Sequence, residues 1–231
     1  DEAKKHLVNA FRISRDHLVQ ISLQLTDKFQ SVPNFCVLHA PYEADAQVCF
    51  LNKQKLIDLI ITNDSDILLY YPTQVLFKFD PSTMLGDYVQ QSDILTGIFA
   101  GLSLQQFRKI CILSGCDYIE SFKGVGLKTA LKCLKQNDFD LQKTVSQIGK
   151  THKNVYETEN VYLQNFLKAE QCFQFQVVFN PKSSKMQNFE LAKEEMPLCG
   201  QILADCEDVW FGSEAAKQKL AQFVANTDKV E

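Results

Sequence analysis

Five carboxylates are the residues in this chain best suited to chemistry: Glu43 and Asp45, Asp64 and Asp66, and Asp117. Carboxylate oxygens are hard donors, and several converging on one point suit magnesium or manganese. Asp64 and Asp66 follow an apolar run, and in extended chain residues two apart point to the same side, so both can face one ion. Glu43 and Asp45 share that spacing, but inside a helix it would separate them by about 200°. They converge only at the start of a helix, which Pro41 suggests and where the macrodipole favours carboxylates. Taken alone, each pair also reads as solvated loop acids or a helix cap, the commoner use of such spacings. An EF-hand is excluded, because the stretch after Asp64 lacks the glycine and the closing glutamate of such a loop.

Asp117 sits in Leu113-Ser114-Gly115-Cys116-Asp117-Tyr118, just past an apolar helix containing Ile110 and Ile112. A few residues later, Gly124-Val125-Gly126-Leu127-Lys128-Thr129 places two glycines before a helix. Main-chain N–H groups there, with the helix N-terminus, can cradle a phosphate. Between residues 121 and 135 lie Lys123, Lys128, Lys132 and Lys135 and no acid, a local basic stripe. The same residues also fit a tight turn with a solvated lysine face.

Elements must place these groups. Ser14 caps a helix over 15 to about 30, residues 34–39 read as a buried strand, and Pro41 opens a helix reaching about Lys53. Strands are expected over 56–62 and 74–79. Strand, helix, strand at this spacing argues for an α/β unit with a parallel sheet, whose sites belong at the C-terminal strand ends. From Ser92 onward the pattern turns helical, over 93–99, 103–113, 128–134, 141–148 and 162–173. Residues 175–179 then form a strand entering the turn Asn180-Pro181-Lys182-Ser183-Ser184.

With 231 residues, 45% hydrophobic and 23% charged, the chain is long enough to bury a sizeable core, and no apolar run approaches a membrane span. None of the eight cysteines forms a C-x-x-C pair, so most are expected to be buried free thiols rather than zinc ligands. The net charge of -4 argues against a phosphate-binding surface only until the five acids are set aside, which leaves 23 acids against 24 bases.

In order and spacing, Ala40-Pro41-Tyr42-Glu43-Ala44-Asp45-Ala46-Gln47, Ile61-Thr62-Asn63-Asp64-Ser65-Asp66-Ile67-Leu68, the Asp117 segment and the glycine-lysine turn resemble the flap endonuclease (Rad2-XPG) family of 5′ nucleases, closest to its exonuclease-one branch. The resemblance implies a partial parallel-sheet nuclease core, PIN-like, over 1–118. A helix-two-turn-helix region follows over 119–155, and a helical segment with a hairpin over 156–231 completes the nuclease domain. It implies that Glu43, Asp45, Asp64, Asp66 and Asp117 hold two Mg2+ or Mn2+ ions for phosphodiester hydrolysis. Two like charges about 4 Å apart repel by roughly 4 kcal/mol at an effective dielectric of about 20, so such a cluster calls for bound cations. It also implies a K+ ion at Ser114, Ser121 and Val125, and DNA phosphates at Lys123, Gly124, Gly126, Lys128, Thr129 and Lys132.

The implied substrate is double-stranded DNA with a 5′ flap, nick or recessed end, handled in the nucleus during repair or replication, with no membrane. Asn63 stands where the family often has a glutamate. The family's N-terminal glycine, two early aspartates and basic helical arch are absent. The sequence is therefore either truncated, or completed by another chain, or the region is lost. In the last case the chain would be a non-catalytic DNA-binding or scaffold module.

Overall fold

The computed structural model describes residues 14–32, 35–152, 158–190 and 218, 220–222 and 224–225. The chain divides into two compact units, one of residues 1–40, 181–185 and 203–231, the other of residues 41–180 and 186–202. Most of the expected C-terminal segment after residue 190 lies outside the described residues.

In the first unit, helix α1 spans Arg15–Lys28, and the Ser14 side chain accepts the His17 N–H in a capping box. Residues 35–40 form no strand, contrary to the sequence expectation. An aromatic contact takes the place of a ladder there, with the Phe29 and Phe35 rings 4.9 Å apart.

The second unit holds the five acids. Helix α2 spans Ala44–Lys53 with Glu43 as N-cap. Pro41 lies in a bend before the helix, not in its first turn as expected. Strand β1, Ile60–Ile61, pairs in parallel with β2, Gln74–Asp80, setting Ile60 opposite Val75. Strand β3, Leu85–Gln90, pairs antiparallel with β2, so the sheet is mixed rather than parallel. The expected strand over 56–62 contracts to two residues because the ladder with β2 continues only as a single bond from the Thr62 N–H to the Leu76 carbonyl, at 3.2 Å.

The β2–β3 ladder shifts register between Phe77 and Asp80, and within that irregularity Lys78 takes a positive φ of 51°. Its N–H leaves the ladder and donates to Asn63 Oδ1 at 2.8 Å. Asn63 thereby anchors the segment leading into Asp64.

After β1, a six-residue 3-10 helix covers Ser65–Tyr70. The expected helix over 93–99 is split into α3, Gln91–Ile94, and a 3-10 turn, Gly97–Phe99, because Thr96 is extended between them. Helix α4, Leu104–Ser114, starts from a Ser103–Gln106 capping box. Helices α5, Leu127–Gln136, α6, Leu141–Gly149, and α7, Glu159–Phe175, follow. Strand β4, Val177–Asn180, pairs with β5, Lys185–Asn188.

Aromatic side chains lock the acid-bearing segments to α7. Tyr70 of the 3-10 helix lies edge-on to Phe173 of α7, with centroids 5.4 Å apart, and Tyr118 meets the same ring at 5.0 Å. Gln47, buried in α2, makes a reciprocal pair with β4. Its Nε2 donates to the Phe179 carbonyl at 2.9 Å, and the Phe179 N–H donates to its Oε1 at 2.7 Å. All six described cysteines are free thiols, as expected, but among them only Cys49 is fully buried.

Candidate active site

Three short segments present the acids, and each does so for a local reason. Glu43 has extended backbone and makes no side-chain cap hydrogen bond, which leaves its carboxylate available, while Asp45 follows in the first turn of α2. Asp64 caps the 3-10 helix: its Oδ1 accepts the Asp66 N–H at 2.9 Å, and its own N–H donates to Thr62 Oγ1 at 3.1 Å. Asp66 then reaches the third segment, where its Oδ2 accepts the Asp117 N–H at 3.4 Å.

Asp117 reaches that position through a reversal after α4. Gly115 adopts φ 103°, a conformation side chains disfavour, and a Cβ there would lie 3.4 Å from Ser121 Cβ. Main-chain bonds between Cys116 and Ile119, at 3.1 and 3.2 Å, close the loop. Cys49 Sγ lies 3.8 Å from the Ile67 carbonyl, tying α2 to the 3-10 helix.

The same reversal brings Ser114 and Ser121 close to the second candidate region. The Ser114 hydroxyl donates to the Cys111 carbonyl at 2.8 Å, and the N–H of buried Val125 donates to the Phe122 carbonyl at 2.9 Å. Gly124 turns the chain with φ 84°, and Gly126 caps α5 with no side chain over its first N–H groups. A Cβ at Gly126 would meet nothing within 4 Å. Lys123, Gly124, Gly126, Lys128 and Lys132 are exposed around this helix start, with Thr129 half-buried.

Residues 34–117, which contain all five acids, match the XPG I-region family. The chain belongs to the XPG family. Near its exonuclease branch, the chain is 31% identical over 218 residues to exonuclease 1 of Drosophila melanogaster, covering 90% of this chain and 29% of that protein. It is 38% identical over 152 residues to exonuclease 1 of Xenopus laevis, covering 64% of this chain and 20% of that protein. The chain thus spans less than a third of the length of these relatives. Its fold is similar to the flap endonuclease-1 structure from Methanococcus jannaschii, with TM-score 0.51 and 18% identity over 98% of this chain and 65% of that one. A structure of the catalytic core of Rad2 in complex with DNA substrate is similar with TM-score 0.51 and 18% identity, covering 74% of this chain and 59% of that one.

In this XPG chain the electrostatics of the cluster fall on Asp45 and Asp66. The Asp45 carboxyl is pushed up from the ordinary 3.8 to about 6, by burial first, then by the charges of Asp64, Glu43, Asp66 and Asp117. Burial also raises Asp66, opposed by the hydrogen bond from the Asp117 N–H and reinforced by the Asp64 and Asp117 charges. Among the described residues, no three His, Cys, Asp or Glu side chains are grouped closely enough to hold one metal ion. The donor chemistry nonetheless fits a hard divalent cation, since four negative charges bear on a fifth.

A stability measurement exposes the raised Asp45 carboxyl. A carboxyl whose pKa is higher in the folded state holds its proton there after the unfolded chain has lost it. Stability is therefore fully present below about pH 4 and falls as pH rises from 3.8 to about 6. For a half-buried group, solvent screening reduces the effect to about 1 kcal/mol. In chelator-treated protein, melting temperature should fall over this window, and Asp45→Asn should remove most of the fall. Identical pH profiles for the two proteins would refute the raised Asp45 pKa.

Several positioning residues escaped the sequence reading. Thr62 and Asn63 lie inside the recognised motif, and their hydrogen-bonding side chains at a strand end were the available signal. Gln47 and Arg108 gave no such signal, because their partners are distant in sequence.

Proposed function

We propose that this protein is a structure-specific 5′ nuclease, a 5′–3′ exonuclease or flap endonuclease that hydrolyses DNA phosphodiester bonds during nuclear repair or replication. The observation that carries this is that Glu43, Asp64, Asp66 and Asp117 all bear on Asp45, with the Asp117 N–H bonded to Asp66 just past the C-terminal end of β1, within the segment matching the XPG I-region.

In this reading the five carboxylates would draw together around two Mg2+ or Mn2+ ions. Bound there, such a pair supplies an activated attacking water and stabilises the leaving oxygen. The chain's own residues orient the donors. Thr62 fixes Asp64, the Asp64 carboxylate fixes the Asp66 N–H, and the Asp117 N–H fixes Asp66. Duplex with a 5′ flap, nick or recessed end is held over residues 119–155, the helix-two-turn-helix region. There Lys123, Lys128 and Lys132, with Thr129 and the main chain at Gly124 and Gly126, take the phosphates without reading sequence. Oxygens of Ser114, Ser121 and Val125 hold a K+ ion that steadies the turn.

The decisive experiment is cleavage of 5′-flapped and 5′-recessed duplexes by the full-length protein with and without magnesium. Magnesium-dependent hydrolysis supports the assignment, and duplex binding with no hydrolysis in either condition overturns it in favour of a scaffold. Lys128→Ala should weaken binding to unrelated duplexes uniformly and reduce the salt dependence by about one counterion. An unchanged salt slope would remove Lys128 from the interface.

A further inference from the structure

Arg108 is a charged side chain with 2% exposure, set in the interior of α4 and given no part in the site described above. Its Nε donates to the Leu69 carbonyl at 2.7 Å and its Nη2 to Glu190 Oε1 at 2.9 Å. Burying a guanidinium is costly, and an apolar side chain of similar volume is often as stabilising, so fold stability alone gives little reason for it. The directed donors of arginine give a better one.

Leu69 is near the end of the 3-10 helix, where carbonyls lose their helical partners. A six-residue 3-10 helix has few bonds of its own to fix its roll. At its N-terminal end it is tied to the Asp117 loop by the contact between the Asp117 N–H and Asp66. At its far end the tie is Arg108, on the helix that leads into that same loop. Two ties to one neighbouring element fix the orientation of the segment carrying Asp64 and Asp66. The charges that bear on Asp66 are those of Asp64 and Asp117, so Arg108 acts on it through the backbone.

We propose that Arg108 is a positioning residue for the metal-binding carboxylates Asp64 and Asp66, holding their 3-10 helix through the Leu69 carbonyl. This rests on the nuclease reading for its consequence in cleavage, but metal affinity tests it separately. In the full-length protein, Mn2+ and Mg2+ binding would be measured by calorimetry, and kcat and KM on a 5′-recessed duplex, for wild type, Arg108→Met, Arg108→Lys and Glu190→Gln.

Arg108→Met is expected to weaken metal binding by about 10–100-fold, as loss of a supporting partner does, and to lower kcat with KM for DNA within about twofold. Arg108→Lys reaches one acceptor but not both and should fall between, which keeps the test available if the methionine variant does not fold. Glu190→Gln retains the acceptor and should bind metal normally.

Wild-type metal affinity in both Arg108 variants overturns the proposal. So does an equal loss in Glu190→Gln, which would make the ion pair rather than the Leu69 contact decisive. A wild type that binds metal without cleaving, while Arg108→Met binds it weakly, sinks the nuclease reading and leaves the positioning role standing. A wild type that binds no metal overturns both.

Discussion

Asp64→Asn and Asp117→Asn should each lower magnesium-dependent cleavage by the full-length protein by about a thousandfold or more, equivalent to roughly 4 kcal/mol of transition-state stabilisation. The substitutions suit the question because they keep shape and remove charge. Asparagine at 64 retains an oxygen to accept the Asp66 N–H, and at 117 the group that contacts Asp66 is the main-chain N–H, untouched by the change. Folding should therefore survive, and duplex affinity should remain within a few-fold because the lysines lie elsewhere on the chain. Removing either charge also relieves Asp45, so the chelated variants should melt no lower than wild type. Steady-state turnover with saturating magnesium is the measurement. Undiminished turnover in both variants would remove these carboxylates from the chemistry.

The second large effect concerns the fold. Gln47→Ala should destabilise the protein by about 2–5 kcal/mol, because it removes both buried hydrogen bonds to the Phe179 main chain together with the packing of the side chain, at about 1–3 kcal/mol for each buried pairing lost. Against a total of roughly 5–15 kcal/mol that is a severe loss, corresponding to a drop of about 10 °C in melting temperature for a chain of this size. Gln47→Leu separates hydrogen bonding from packing. Leucine fills similar space yet pairs with neither group, so it should be nearly as damaging. Thermal melts and exchange of the Phe179 amide are the readouts. A leucine variant within about 0.5 kcal/mol of wild type would show that packing, not the paired amide, ties α2 to β4.

Much of the site was legible because its chemistry is local. The place of Asp64 and Asp66 just past an apolar run was legible, but not the extended chain expected to align them: a 3-10 helix starts at Ser65, and the Asp64 cap holds the pair together instead. Glu43 and Asp45 required a helix start, which Pro41 suggested a little too early. The helix begins where the Gln47 N–H first finds the Glu43 carbonyl, so Glu43 itself is the cap. Strand β3 was not legible: Leu85 and Tyr88 are exposed, and no buried alternating face announces it. Its main-chain ladder with β2 supplies the order that side chains do not. Gln47 and Arg108 were opaque for a different reason. Each reads as a solvated polar residue until partners 132 and 39 residues away arrive beside it.

The contact between Asp117 and Asp66 has a consequence for how such a site can change over time. One partner is a carboxylate, but the other is a peptide N–H, which every residue except proline would supply at position 117. Pose and charge are thus inherited separately. A descendant that lost the Asp117 side chain would still point Asp66 in its present direction, and it would keep the scaffold of a catalytic centre with its electrostatics free to drift.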